Sequence, residues 1–454
     1  MTRRRPLPTR ARLVIGALGV LGVLGVLALA VLVGAAIPDR PALAVLLAGA
    51  VLVLGISAVD HALVPLLSVP LLFVVARASA VGVDVSISDI ALAVAVLPAA
   101  LLTRRVSTPM RHLLWLIALY LVATLFTVVA NPYPANAVEW VHAAVLLGGA
   151  LFVGWTIGRE GYGPAALTVM LVVGSLLAVV TVVAGIGQLL DGRFEAVYLE
   201  WPFSMHKNFI GCVLGVVAVI AYVAPDWLGV RRVVSLPVFA LTVVAIGFAQ
   251  SRQAIVGLAV AVLVLVLRTR TDRQRSRTIL LVVLPVFVLV GVYVEGQISS
   301  ANQFNSVQQR LTWFAESIDV WQTSPVVGVG LRWWYTDRFP VTFQPPNAEL
   351  EVLTSAGVVG LLAFLVLVVG TLVVLWRLPP AYGNLALLAV LSRVVQGQFD
   401  LFWTAVTVSL PFVVAGICVG QLALTQERGA AAPDLPARGH PGRDRPGSVP
   451  VGAG

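Results

Sequence analysis

Apolar residues along this chain come in long unbroken runs, not in the alternation of strands or the one-sided stripes of soluble helices. Runs of about 18–25 residues recur nearly end to end, and each can cross about 30 Å of hydrocarbon as a helix. The pattern predicts spans at 13–37, 42–59, 62–76, 87–102, 112–130, 138–158, 164–190, 207–224, 233–249, 253–268, 278–295, 350–376, 383–397 and 401–424. Those at 62–76, 87–102 and 383–397 are short enough to be re-entrant, which leaves about 12–14 transmembrane helices. The expected fold class is an all-α polytopic membrane protein.

One stretch interrupts the apolar rhythm and divides the chain. Residues 1–295 are expected to form N-terminal transmembrane helices, 296–349 a large extracytoplasmic loop, and 350–424 C-terminal transmembrane helices. The tail 425–454, rich in Pro, Gly, Ala and Arg, is expected to be disordered and cytoplasmic. Within the loop, Val307, Leu311, Phe314, Ile318 and Trp321 recur at helical spacing, which predicts an amphipathic helix with Ser306 as N-cap. Pro325 ends it.

Composition sharpens the class. The chain is 59% hydrophobic and 11% charged, with mean hydropathy +0.97, outside the range of soluble domains. Its net charge of +9 is spread over many short segments, so the expected partner is the lipid bilayer and not nucleic acid. Cys212 and Cys418 fall inside apolar runs and read as buried thiols. The opening MTRRRPLPTRAR resembles the start of a signal peptide, but the run after it is too long for a cleaved one and reads as an uncleaved first span.

Charge also orients the chain. With a cytoplasmic N-terminus, the cytoplasmic segments hold Arg3, Arg4, Arg5, Arg10, Arg12, Arg104, Arg105, Arg111, Arg159, Arg231 and Arg232. They also hold the cluster from Arg268 to Arg277, Arg377 and the arginines of the tail, most of the 30 basic residues. The positive-inside rule therefore predicts that both termini lie on the cytoplasmic side. Residues 191–206, the turn AQSRQ and the loop 296–349 are then outside.

Candidate chemistry collects on that outer side. Arg252, in GFAQSRQAIVG, stands where the rule disfavours a positive charge; it is a snorkelling helix end or an anion site. Arg310 lies in the first turn of the loop helix, beside unbonded backbone N–H groups. PVVGVGLRWWYTDRF brings Arg332, Trp333, Trp334 and Arg338 together, as interfacial anchors or as a sugar-binding surface. No HExxH, CxxC, P-loop or GxSxG occurs, and of the five histidines only His206 falls in an outer loop. No metal or other cofactor is expected.

In order, these motifs resemble the O-antigen ligase and O-antigen polymerase superfamily of bacterial lipid-linked glycan transferases. The resemblance rests on the outer SR pair, the R-x-x-W from Arg310 to Trp313, the turn SPVVGVG and the helix start NAELEVLTSAGVVG with Asn347. MHKNFIG around Asn208 and QGQFDLFW at 396–403 match the family's flanking segments, so the resemblance covers roughly 200–420. It implies a GT-C-like fold and transfer of a glycan from a polyprenyl-diphosphate carrier to an acceptor hydroxyl, on a glycan, a lipid or another molecule, without metal. Arg252 and Arg310 would then bind the diphosphate, because fixed cations must stabilise the leaving group where no metal does.

The family carries a histidine directly before the loop asparagine; here that position is Pro346. Either another group acts as base, or the acceptor differs, or the activity is lost. Glu349, three positions on and so on the same helical face, is the first candidate base, and His206 the second. Two readings from other classes stand beside the transferase: a lipid-linked oligosaccharide flippase, and a non-catalytic homologue in envelope assembly.

Overall fold

The computed structural model describes residue 31 and residues 41–80, 83–102, 106–268, 306–341, 343–345, 347–399 and 406–431. The expected first span (residue 31 apart), the span 278–295, Pro346 and the tail beyond 431 lie outside the described residues. The described residues form a bundle of apolar helices: α1 (Pro41–Val59), α2 (Leu63–Ser68), α3 (Ile87–Leu102), α4 (Thr108–Ala130) and α5 (Pro134–Ala144). A π turn (Val145–Gly149) joins α5 to α6 (Ala150–Arg159). There follow α7 (Gly163–Leu190), α8 (Lys207–Val223), α9 (Arg232–Ala249), α10 (Arg252–Leu267), α11 (Ser306–Gln322), α12 (Ala348–Trp376), α13 (Pro380–Gly397) and α14 (Val406–Ala431).

Six helical stretches among these are long and apolar enough to cross a membrane: 108–130, 134–159, 163–190, 232–249, 348–376 and 407–430; five more apolar helices are shorter. The chain is an all-α polytopic membrane protein, with one local exception. Where the sequence suggests a span at 62–76, the helix stops at Ser68 and Pro70 opens a 3-10 turn (Pro70–Phe73). Proline there has no N–H to give back to the helix, and its ring blocks the preceding turn. An antiparallel hairpin follows, β1 (Arg77–Ala80) against β2 (Val83–Ser86), with Arg77 opposite Ser86. The last helix outruns its expected end at 424 and continues to Ala431.

The tightest seam joins α6 and α14. A Cβ at Gly154 or Gly158 would strike the carbonyls of Val413 and Ile417, and one at Gly416 or Gly420 those of Leu151 and Trp155. Lipid gives helices no hydrophobic reason to associate, so close approach of backbones over small residues is what holds such a seam. The same rule applies around α8: Gly211 seats Ser251, and Gly215 and Gly257 seat Gln396. The GCVLG run is therefore helix packing. It aligns the N-termini of α8 and α10 with the C-terminus of α13 at one end of the bundle, which we call the loop end.

Candidate active site

The turn AQSRQ is sharp because Gln250 takes a left-handed conformation, φ 51°, and closes onto the Gly247 carbonyl. Ser251 is then driven into the bundle and Arg252 left exposed as the first residue of α10. The neighbouring helix α8 begins at Lys207, and the two cations lie within electrostatic reach of each other. Like charges placed together at two helix N-termini repel, and the helix dipoles add to the positive field. An anion seated between them relieves that repulsion. Arg252 was expected at such a site from sequence; Lys207, the only lysine of the chain, was not, although its place beside Asn208 in MHKNFIG was the available signal.

His206 caps α8, its Nδ1 accepting the Asn208 backbone N–H at 3.2 Å. That leaves Nε2 as the ring nitrogen that carries the proton when the ring is neutral. The ring is exposed and meets Tyr198 edge-on at 5.2 Å. Asn208 lies half-buried in the first turn of α8.

The C-terminus of α13 gathers two more candidates. Gln398 donates to Glu349 Oε1 at 2.7 Å, and Arg310 Nη2 donates to the Phe399 carbonyl at 2.8 Å. Glu349 Oε2 is buried and has no hydrogen-bond partner among the described residues. Asn347 spends its side chain on the helix, capping α12 through the Leu350 N–H at 2.8 Å. The helix α11 stands as expected, but its packed face is not the expected stripe. Ser317 and Val320 are buried, while Leu311 and Phe314 are 52% and 37% exposed. Ser317 can face the wall because its hydroxyl returns to the Trp313 carbonyl at 2.6 Å.

Beyond α11, residues 325–331 bolt the loop to the bundle. Helix α12 breaks at Gly357, φ 65° and ψ −167°, where a side chain would strike the Val326 carbonyl. Gly328, φ 73°, meets the backbone of Ser355 in the same way. Across the break, Val329 and Gly330 donate to the Thr354 and Ser355 carbonyls, and Val358 and Val359 donate to Pro325 and Val326. The α4–α5 corner holds the other edge. Thr127 donates to the Val327 carbonyl, Asn131 to Gly328 and Tyr133 to Leu331, while Asn136 accepts from the Leu331 N–H. Burial pushes the Tyr133 phenol up, so it stays protonated as a donor.

This anchoring decides what the loop's arginines and tryptophans do. Arg338 donates to Asn131 Oδ1 and the Val329 carbonyl, so it braces the loop. Trp333 is 1% exposed in a small core with Val320, Val329 and Trp334. Arg332 Nε lies 2.5 Å from Glu139 of α5. Glu139 in turn meets His142 at 3.3 Å, and His142 meets Asp89 at the start of α3 at 3.4 Å. Four ionisable groups therefore run as one chain from the loop into the bundle. The linkage of Asp89 and Glu139 through His142 joins α3 to α5 and is set by the fold.

Arg393 is, among the described residues, the buried cation nearest to this end. It lies inside α13 and is 2% exposed, with Nη1 4.0 Å from Cys212 Sγ, which Gln253 also approaches at 3.5 Å. This polar group sits just beneath Lys207 and Arg252 along α8 and α10.

Residues 237–365 match the family described as O-Antigen ligase, which supports the O-antigen ligase superfamily for this chain. The matched stretch runs from within α9 through the SR turn and the loop, past the break at Gly357, into the second part of α12. No curated protein matches the chain.

Proposed function

From the O-antigen ligase family as premise, we propose that the chain is a glycosyltransferase of the bacterial cytoplasmic membrane, working on its outer face with both termini inside. It transfers a glycan from a polyprenyl-diphosphate carrier to an acceptor hydroxyl. The observation that carries this reading is the pairing of Lys207 and Arg252 at adjacent helix N-termini. A lipid-linked diphosphate at the bilayer surface presents its charge at that level. Arg310, tied to the neighbouring end of α13, approaches from the loop.

In the reaction the acceptor oxygen attacks the anomeric carbon, and the bond from that carbon to the diphosphate oxygen breaks. The electron pair leaves with the diphosphate, whose growing charge the cations offset. The acceptor proton passes to Glu349 Oε2, whose partner oxygen Gln398 holds. His206 is the second candidate base; its ring is exposed and its Nδ1 is engaged in the cap of α8. Asn208, Arg332, Arg338, Trp333 and Trp334 serve substrate binding indirectly, by shaping the walls around these groups.

A flippase reading draws on two observations, the buried Arg393 and the break in α12, since membrane transporters carry intramembrane charge and broken helices. The break, however, is filled: the backbone groups of Thr354, Ser355, Val358 and Val359 are bonded to residues 325–330. Purified protein in proteoliposomes with a lipid-linked glycan separates the readings. Transfer predicts loss of the donor and release of polyprenyl diphosphate; movement of intact donor across the bilayer without consumption would favour the flippase.

A further inference from the structure

Helix α7 keeps one face out of the bundle along most of its length. Val172, Leu176, Val179, Val183, Ile186 and Leu190 are all exposed, at alternating spacings of four and three residues. An exposed apolar stripe on a membrane-spanning helix faces lipid. From Val172 to Leu190 it rises about 27 Å, close to the roughly 30 Å of the hydrocarbon layer. A stripe of that length fills the layer, so Leu190 marks its edge at the loop end.

The chain beyond that edge stays apolar on its outer side. Phe194 is 71% exposed and Trp201 73%, with Tyr198 exposed between them. The backbone beneath is pinned, so the rings are not thrown outward by a loose loop. The Val197 N–H donates to the Phe248 carbonyl near the end of α9, and Leu199 and Met205 exchange both backbone hydrogen bonds. Val197, Leu199 and Met205 are buried, while Tyr198 and Glu200 alternate to the outside, as in a strand. Large apolar rings displayed together mark a surface that something apolar covers.

Continuity with the α7 stripe says what that is. Aromatic side chains gather where hydrocarbon gives way to lipid headgroups, the level just past Leu190. Charge sets the depth. Asp191 pairs with Arg193 at 2.9 Å, which leaves the exposed Glu195 and Glu200 as surplus. Carboxylates keep the segment's backbone among the headgroups and out of the hydrocarbon, and they select against anionic lipid. We propose that residues 191–201 form a lip docked on a zwitterionic phospholipid leaflet at the loop end, with Phe194 and Trp201 as its inserted rings. The lip runs up to the cation pair: Tyr198 meets the His206 ring at 5.2 Å and Lys207 Nζ at 6.0 Å. Lys207 therefore stands at the level of lipid phosphates. On the transfer reading, on which this step alone rests, the carrier reaches the cations sideways from α7 without leaving its leaflet.

Docking is measured without transfer. Full-length protein, whose Cys212 and Cys418 are buried, is spin-labelled at Phe194→Cys or Trp201→Cys in phosphatidylcholine nanodiscs. Asp319→Cys, at an exposed position on α11, is the aqueous reference. EPR saturation compares collisions with oxygen, which concentrates in lipid, and with a nickel chelate, which stays in water. Labels at 194 and 201 should give an oxygen-to-nickel ratio several-fold above that at 319. A ratio equal to that at 319 overturns the lip, and so does shielding from both reagents, the mark of a second copy packed on it. Trp201→Phe in brominated phosphatidylcholine covers cysteine variants that misfold. It should lose less fluorescence to bromine than the unmodified chain, and an equal loss counts against the lip. In an active preparation, Phe194→Ser with Trp201→Ser should raise the KM of a long-chain donor several-fold and leave that of a short-chain, water-soluble donor unchanged. A KM raised for both or for neither removes the sideways route. A docked lip in a chain that never transfers would sink the transferase reading and leave the lip standing.

Discussion

At the scale of single residues, the strongest expectation concerns charge. Arg252→Ala and Arg310→Ala should each lower transfer by on the order of 10²–10³, the cost of losing one preorganised donor to a developing anion. Arg252→Lys should recover only part of it, because an ammonium lacks the planar fork that binds two phosphate oxygens at once. Initial rates of donor loss at matched protein levels check this, and near-wild-type turnover in Arg252→Ala returns that residue to a snorkelling helix end. Glu349→Gln should cost roughly 10²–10⁴ in rate, the usual range for general acid–base catalysis, with donor binding retained. If Glu349→Gln turns over normally while His206→Ala does not, the base is the histidine. Arg252 stands out in the sequence as a candidate by its sidedness, and Glu349 by its spacing after Pro346. Arg332 and Arg338 were legible only as charges near aromatics, since nothing local says that one pairs with Glu139 and the other with Asn131.

At the scale of elements, the break in α12 is the feature with the sharpest consequence. Its sequence, TSAGVVGLLAF, reads as one uninterrupted apolar helix, because the glycine that breaks it is also a residue that helices in membranes tolerate. The partner that makes the break favourable, PVVGVG, lies about a turn of loop away in space and some thirty residues back in sequence. Two glycines at positive φ meet across it, each against backbone. Gly328→Val or Gly357→Val should therefore release the loop, since a left-handed β-branched residue costs about 1–3 kcal/mol before the collision is counted. Limited proteolysis in detergent should cut such variants within 325–345 faster than the wild type, while Gly229→Ala, at positive φ but in open space, should not change that site. Equal cleavage in all three would mean that the strap does not hold the loop. The helix α11 shows the converse limit: its existence was plain from spacing, but which face packs was not, because a serine bonded to its own backbone is as easily buried as a valine.

At the scale of the whole molecule, the arrangement turns on which end of the bundle faces out. Helix packing places Lys207, Arg252, Glu349 and residues 131–136 at one end, and Asp60, the Tyr162 hydroxyl that donates to it, and the Arg159–Glu427 pair at the other. The positive-inside rule favours the second end as the cytoplasmic one, because Arg111, Arg231, Arg232, Arg268 and Arg377 stand at helix ends there. Exposed positions suited to a test follow from the fold and not from the sequence: Ser251, next to Arg252, is fully buried and useless as a reporter, whereas Glu195 and Gln309 are exposed at the loop end and Arg231 at the other. With Cys212 and Cys418 buried, background labelling is low. Glu195→Cys and Gln309→Cys should react with a membrane-impermeant maleimide on spheroplasts, and Arg231→Cys only after the membrane is opened. The reverse pattern would put the cation pair on the cytoplasmic face. A diphosphate carrier loaded outside could not then reach Arg252, and the transferase reading would fall with the topology, whatever the side chains around Glu349 are able to do.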